Sequence, residues 1–79
     1  EPVYPEAARR AGVQGAVVVN AVVNTQGILE ELQIVSGHPM LIKAALDCVR
    51  KWRYRPGTLN ERVIDMPIVI RVQFVLNYR

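Results

Sequence analysis

From Ile64 onward the sequence alternates with few faults. Ile64, Met66, Ile68, Ile70, Val72, Phe74, Leu76 and Tyr78 hold every even position, and Arg71, Gln73, Asn77 and Arg79 sit among the odd ones. Successive strand side chains point to opposite faces, so a sustained period of two specifies a β-strand with one buried face. Its length is a further constraint. About fifteen residues at ~3.3 Å each reach roughly 50 Å, whereas a globule of this size, with a radius of gyration near roughly 12 Å, is about 30 Å across. The segment must therefore overhang, bend near Pro67, or pair with another chain. Pro67 lacks a ladder donor and belongs on an edge or at a break.

The remaining residues supply what such a strand can pack against. In Tyr4-Pro5-Glu6-Ala7-Ala8-Arg9-Arg10-Ala11-Gly12, a proline at the first helical position loses no intrahelical bond. Glu6 complements the positive helix start and Arg9 and Arg10 the negative end, with Gly12 as the cap. A helix of about two turns is marginal alone and has to lie on something. Gln14 to Asn24 reads as a strand whose odd side chains, Val17, Val19, Ala21 and Val23, face the core. Asn24-Thr25-Gln26-Gly27 is a hairpin turn, and Leu29 to Val35 returns as the second strand. Leu29 is odd while Leu32 and Ile34 are even, so the parity slip predicts a bulge near Glu30-Glu31. After Ser36-Gly37-His38-Pro39 the period becomes helical through Trp52. Leu41, Ala45, Cys48 and Trp52 form the stripe, flanked by Ile42, Leu46 and Val49. Arg55-Pro56-Gly57 ends the region, and Thr58 to Arg62 reads as polar loop. The order is α-β-β-α-β, an α+β fold with a three-stranded antiparallel sheet and two helices on one face.

The chain has 79 residues, 51% of them hydrophobic and 22% charged. That is one small domain with no linker or repeat, too apolar for a disordered tail. No window approaches the ~18 apolar residues of a bilayer helix. With Glu1 at its start and no leader pattern, the chain reads as an excised domain whose anchor or export signal lies elsewhere. A single Cys excludes an internal disulfide, and one His with one Cys argues against a zinc site. A net charge of +3 favours an acidic partner but falls short of a nucleic-acid binder's usual field.

Catalytic chemistry finds no foothold. His38 sits in a Gly-His-Pro turn and reads as a helix-start or solvated residue rather than a general base. Cys48 lies on the apolar stripe and reads as a small buried hydrophobe. Glu30 and Glu31, neighbours on a strand, point to opposite faces. The run Lys51-Trp52-Arg53-Tyr54-Arg55 has the interleaving of a single-stranded nucleic-acid groove. Trp52 nevertheless falls in helical register with Cys48 and Ala45, which places it in the helix core with the cations outward. Neither cofactor nor metal is expected.

The last strand's edge is what remains. Free N–H and C=O groups along Ile68 to Val75 are a hazard unless something uses them. Pro67 and Arg71 are partial guards, so the edge reads either as protected or as a place where an extended peptide adds a strand.

At Tyr4-Pro5, Gly15, Val17, Val19, Gly27, Ser36-Gly37-His38-Pro39, Ala44-Ala45 and Trp52-Arg53-Tyr54-Arg55-Pro56-Gly57, the chain resembles the C-terminal domain of the TonB energy transducers, in the family's order and over nearly all of residues 1–79. The hairpin Asn24-Thr25-Gln26-Gly27 departs from the family's frequent Asp-Gly turn, and Thr58 to Arg62 lacks its Gly-Lys-Pro flavour. The resemblance implies a periplasmic domain of a longer protein tethered to the inner membrane, which associates with ExbB and ExbD through parts outside this fragment. It implies capture of the TonB box of outer-membrane transporters that import siderophores or cobalamin. The capture strand would be Pro67, Ile68, Val69, Ile70, Arg71, Val72, Gln73 and Phe74, with Arg71 and Gln73 tuning specificity. Strand-exchanged homodimers are a further implication, and a self-associating envelope domain that dimerises through its last strand is the alternative. No nucleic-acid partner is implied.

Overall fold

The computed structural model describes residues 3–76. The elements run α1 (Glu6–Arg10), β1 (Gly15–Val23), β2 (Leu29–Ser36), α2 (Pro39–Lys51), β3 (Gly57–Leu59), β4 (Arg62–Ile64) and β5 (Met66–Phe74). β1 lies at the centre of an antiparallel three-stranded sheet in the order β2-β1-β5, while β3 and β4 pair only with each other.

The core lies between one face of this sheet and the two helices. Val17 and Val19 of β1 and Ile70, Val72 and Phe74 of β5 meet Ala8 of α1 and Leu41, Ala45 and Val49 of α2. The odd residues of β1 and the even residues of β5 share that face because β1 and β5 pair in unbroken register, from Gly15 opposite Phe74 to Val23 opposite Met66. Tyr4 closes one end. Its ring meets Phe74 edge-on at 5.4 Å between centroids, and its hydroxyl donates to the Val13 carbonyl.

α1 ends as a Schellman turn, the Val13 N–H donating to the Ala8 carbonyl (2.9 Å) and the Gly12 N–H to that of Arg9 (3.1 Å). Pro5 precedes the helix as its cap, with ψ 136°, instead of occupying the first helical position. α2 starts on His38, whose Nδ1 accepts from the Met40 N–H at 3.1 Å. His38 is thus the helix-start residue that its turn context suggests, and Cys48 is buried on the stripe.

β2 carries the expected bulge. Glu31 has φ 54°, and the register with β1 slips between Asn20 and Val22, so Leu29, Leu32 and Ile34 all pack against the core. A second slip, between Val18 and Val19, leaves Val35 as an extra residue.

Three expectations need correcting. The segment from Ile64 is not one strand. Ile64 pairs with Gly57 and Met66 with Val23, with Asp65 between them; the stretch beyond Leu76, including Tyr78, lies outside the described residues. Thr58 to Arg62 is not loop but the tip of a hairpin, in which Asn60 (φ 50°) and Glu61 (φ 65°) make the two-residue turn that matches strand twist. The molecule is also no 30 Å globule. It measures 50 × 22 × 14 Å with a radius of gyration of 14.5 Å, because a single narrow sheet under one helical layer grows along its strands and not in thickness.

Candidate functional site

The two edges of the sheet are β2 and β5, and the residues singled out in the sequence, Pro67 to Phe74, all lie on β5. Which of their backbone groups face outward follows from the centre of the sheet. The Asn24 N–H donates to the Ile28 carbonyl at 2.9 Å, so even residues of β1 aim their amides toward β2. The odd ones then aim at β5, since backbone groups alternate sides along a strand. Their partners on β5 are even: Val19 faces Ile70 and Ala21 faces Ile68. Pro67, Val69, Arg71 and Gln73 therefore direct their main-chain groups to the outer rim, and among the described residues no strand pairs there. Pro67 sits where its missing N–H leaves the ladder with β1 intact. Of the span Ile68 to Gln73, the even residues are occupied by β1; the open donors are Val69, Arg71 and Gln73, and Pro67 adds an acceptor.

The same odd residues aim their side chains away from the helices. Pro67, Val69, Arg71 and Gln73 are exposed, and Val69 is exposed by 69%. The even residues Ile70, Val72 and Phe74 are buried and hold the strand in place. A shallow concavity of about 420 Å³ borders the rim on the open face, lined by Asn20, Val22, Glu31, Gln33, Pro67 and Val69. Ala21 and Ile68 complete the lining, and sequence reasoning missed the concavity because its members come from three strands.

Trp52 is not where the helical register put it. The helix ends at Lys51, Trp52 turns extended at ψ 144°, and its side chain is 44% exposed. The chain is drawn off by the Tyr54 N–H, which donates to the Gly27 carbonyl at 3.0 Å. A Cβ on Gly27 (φ +80°) would fall 2.3 Å from the Tyr54 carbonyl oxygen, so only glycine permits this contact. Tyr54 itself is partly buried and its hydroxyl reaches the Val49 carbonyl at 3.4 Å. Burial, with a smaller contribution from Cys48, raises its pKa above the ordinary 10.0.

Among the described residues no three His, Cys, Asp or Glu side chains gather as a metal site would require. No helix among them is long and apolar enough to cross a membrane.

Fold and rim together define a small α+β domain with one guarded sheet edge and one open one. The chain belongs to the TonB C-terminal domain family: residues 1–76 match the family described as Gram-negative bacterial TonB protein C-terminal. Protein TonB of Xanthomonas campestris pv. campestris is 36% identical over 78 residues, covering 96% of this chain and 35% of that protein. Protein TonB of Escherichia coli K12 is 30% identical over 79 residues, covering 98% and 31%. The chain thus spans about a third of the length of these relatives. The solution structure of the Pseudomonas aeruginosa TonB C-terminal domain superposes with a TM-score of 0.80 at 23% identity, over all of this chain and 82% of that one. TonB2 of Vibrio anguillarum gives 0.73 at 28% identity, over 99% and 76%.

Proposed function

We propose that this domain is the peptide-capturing end of a TonB-like energy transducer and not an enzyme. It binds the TonB box of outer-membrane transporters by adding that peptide as a strand beside Pro67–Phe74. The domain works in the periplasm, and the full protein, tethered to the inner membrane and coupled to ExbB and ExbD, uses proton-motive force to drive import. Family membership supports the transducer role, and the outward row of main-chain groups on β5 carries the site. Each new main-chain bond contributes about 0.5–1.5 kcal/mol net, and ordering and association costs offset much of that sum, so strand addition to a rim of this size is weak. Such binding is weak enough to be made and released repeatedly.

Titration with TonB-box peptides while following amide resonances tests the reading. Saturable shifts are expected along β5, largest for Val69, Arg71 and Gln73. A β5 that stays silent at millimolar peptide would remove the capture role.

The exposed Val69 and the same free rim also suit a second copy of the chain, which is the alternative reading. Sedimentation across a concentration range separates the two: self-association through β5 gives a dimer that added peptide dissolves, whereas pure capture leaves a monomer throughout.

A further inference from the structure

We propose that the groove between the Val3–Pro5 segment and α2 is a second docking site, which takes a short acidic segment of a partner protein through apolar anchors. The groove encloses about 550 Å³. Several of the chain's exposed large hydrophobics converge on it: Val3 (75% exposed), Met40 (38%) and Trp52 (44%). Ala44 and Cys48 continue the floor along α2. Single exposed apolar side chains need no explanation, but several meeting in one concavity mark a contact surface. Met and Trp are also the residue types that adapt to and anchor partners.

Charge selects the occupant. Lys43, Asp47 and Lys51 form one row along the groove's α2 wall, at the four-residue spacing of a helix face. Among the described residues none of the three has an ion-pair partner. Two cations thus flank one carboxylate, and the chain as a whole carries +3. The lysines stand eight residues apart, about 12 Å along the helix axis at 1.5 Å per residue. An extended guest covers that distance in about four residues at ~3.3 Å each. The complementary segment therefore has acidic residues roughly four positions apart, an uncharged residue opposite Asp47, and apolar side chains that enter the floor. This site shares no lining residue with the β5 rim or its concavity, so it stands or falls separately from capture there.

Trp52 is the chain's single tryptophan, so its emission reports occupancy. The probe is a blocked pentapeptide with glutamates at both ends, leucines at the second and fourth positions and serine between. The control has lysines in place of the glutamates. The glutamate peptide should shift Trp52 emission saturably, with half-saturation below about 1 mM, and the lysine peptide should bind roughly tenfold more weakly. Amide shifts should fall on Met40, Ala44 and Trp52 and spare Val69 to Gln73. The double variant Lys43→Glu, Lys51→Glu, both sites being exposed, should keep the amide spectrum of a folded chain and reverse the preference. Equal binding of the two peptides, shifts confined to β5, an unreversed preference, or no saturable change up to about 10 mM would each overturn the proposal.

Discussion

β2 and β5 border the same central strand, yet they are built to opposite ends. β2 is interrupted by two register slips and places Glu31 at φ 54° in one of them. Bulges and charge are the usual means of spoiling an edge as a template for another strand. β2 is also fixed at both ends by glycines. Gly27 lies against the Tyr54 carbonyl, and a Cβ on Gly37 (φ +144°) would fall 2.9 Å from Val17 Cγ2. β5 has no such slips: nine consecutive residues keep register with β1, and no bulge turns its rim aside. Its guards are slight: Pro67, at the N-terminal end, silences a single donor, and the exposed Arg71 adds one charge without disturbing the register. The difference teaches that exposure alone does not make an edge receptive. Strand addition would need a regular run of outward groups, and among the described residues of this sheet β5 keeps one.

The sharpest way to break that comparison is to move a proline by one residue. Ile70→Pro removes a donor that β1 uses and should destabilise the domain by about 3 kcal/mol or more, read by urea unfolding. Val69→Pro removes an outward donor, as Pro67 already does, and should change stability by less than about 1 kcal/mol while weakening peptide capture at least tenfold. If the two variants lose stability equally, the assignment of the rim to the odd residues is wrong. On the other edge the expected pattern inverts. Gly27→Ala puts a Cβ into the Tyr54 carbonyl at a left-handed φ and should cost about 2 kcal/mol or more, with peptide affinity unchanged in the fraction that remains folded.

A smaller effect tests the bulge itself. Glu31→Val places a β-branched side chain at φ 54° and should lose about 1 kcal/mol, whereas Glu31→Gly should hold stability level or raise it by up to about 1 kcal/mol. Equal losses in both would mean that the side chain, and not the backbone angle, sets the cost. Neither change should touch capture on β5.

How much of this was legible before the structure depends on whether a residue's partners leave a trace in spacing. The α-β-β-α-β order, the buried parity of β5 and the bulge near Glu31 did so, because each decides which side chains are apolar. The second slip, at Val35, did not: it follows Ile34, and no later inward side chain on β2 records it. The break at Asp65 was hidden for a related reason. Ile64 and Met66 pair with different strands but keep the same parity, and alternation is blind to a change of partner. Trp52 misled because it sits four residues beyond Cys48, yet the helix stops one residue earlier, and the bond from Tyr54 to Gly27 that draws the chain away crosses from a distant part of the sequence. At the rim, Pro67 and the alternation gave the strand. Which half of its amides face outward needed the hydrogen bond between Asn24 and Ile28.

The smallest expected effect lies where α2's exit segment meets β2. Burial, and secondarily Cys48, hold the Tyr54 phenol above its ordinary pKa of 10.0, so the folded state keeps the proton more tightly than the unfolded one. That contribution is fully present below the unfolded value and is lost as pH rises through the folded one. Stability should therefore stay flat in this respect at neutral pH and decline in alkaline solution as Tyr54 ionises beside the Val49 carbonyl. Phenolate absorbance should show a late-titrating step, and Tyr54→Phe should remove it. The loosening should begin at the β1–β2 loop, since Tyr54 is bonded to Gly27 and has no such bond to β5. Amide exchange should accordingly quicken at Gly27 and Ile28 at a lower pH than at Ile70 and Val72, after correction for intrinsic rates. Simultaneous loss at both places would mean that the guarded edge is no more separately anchored than the open one.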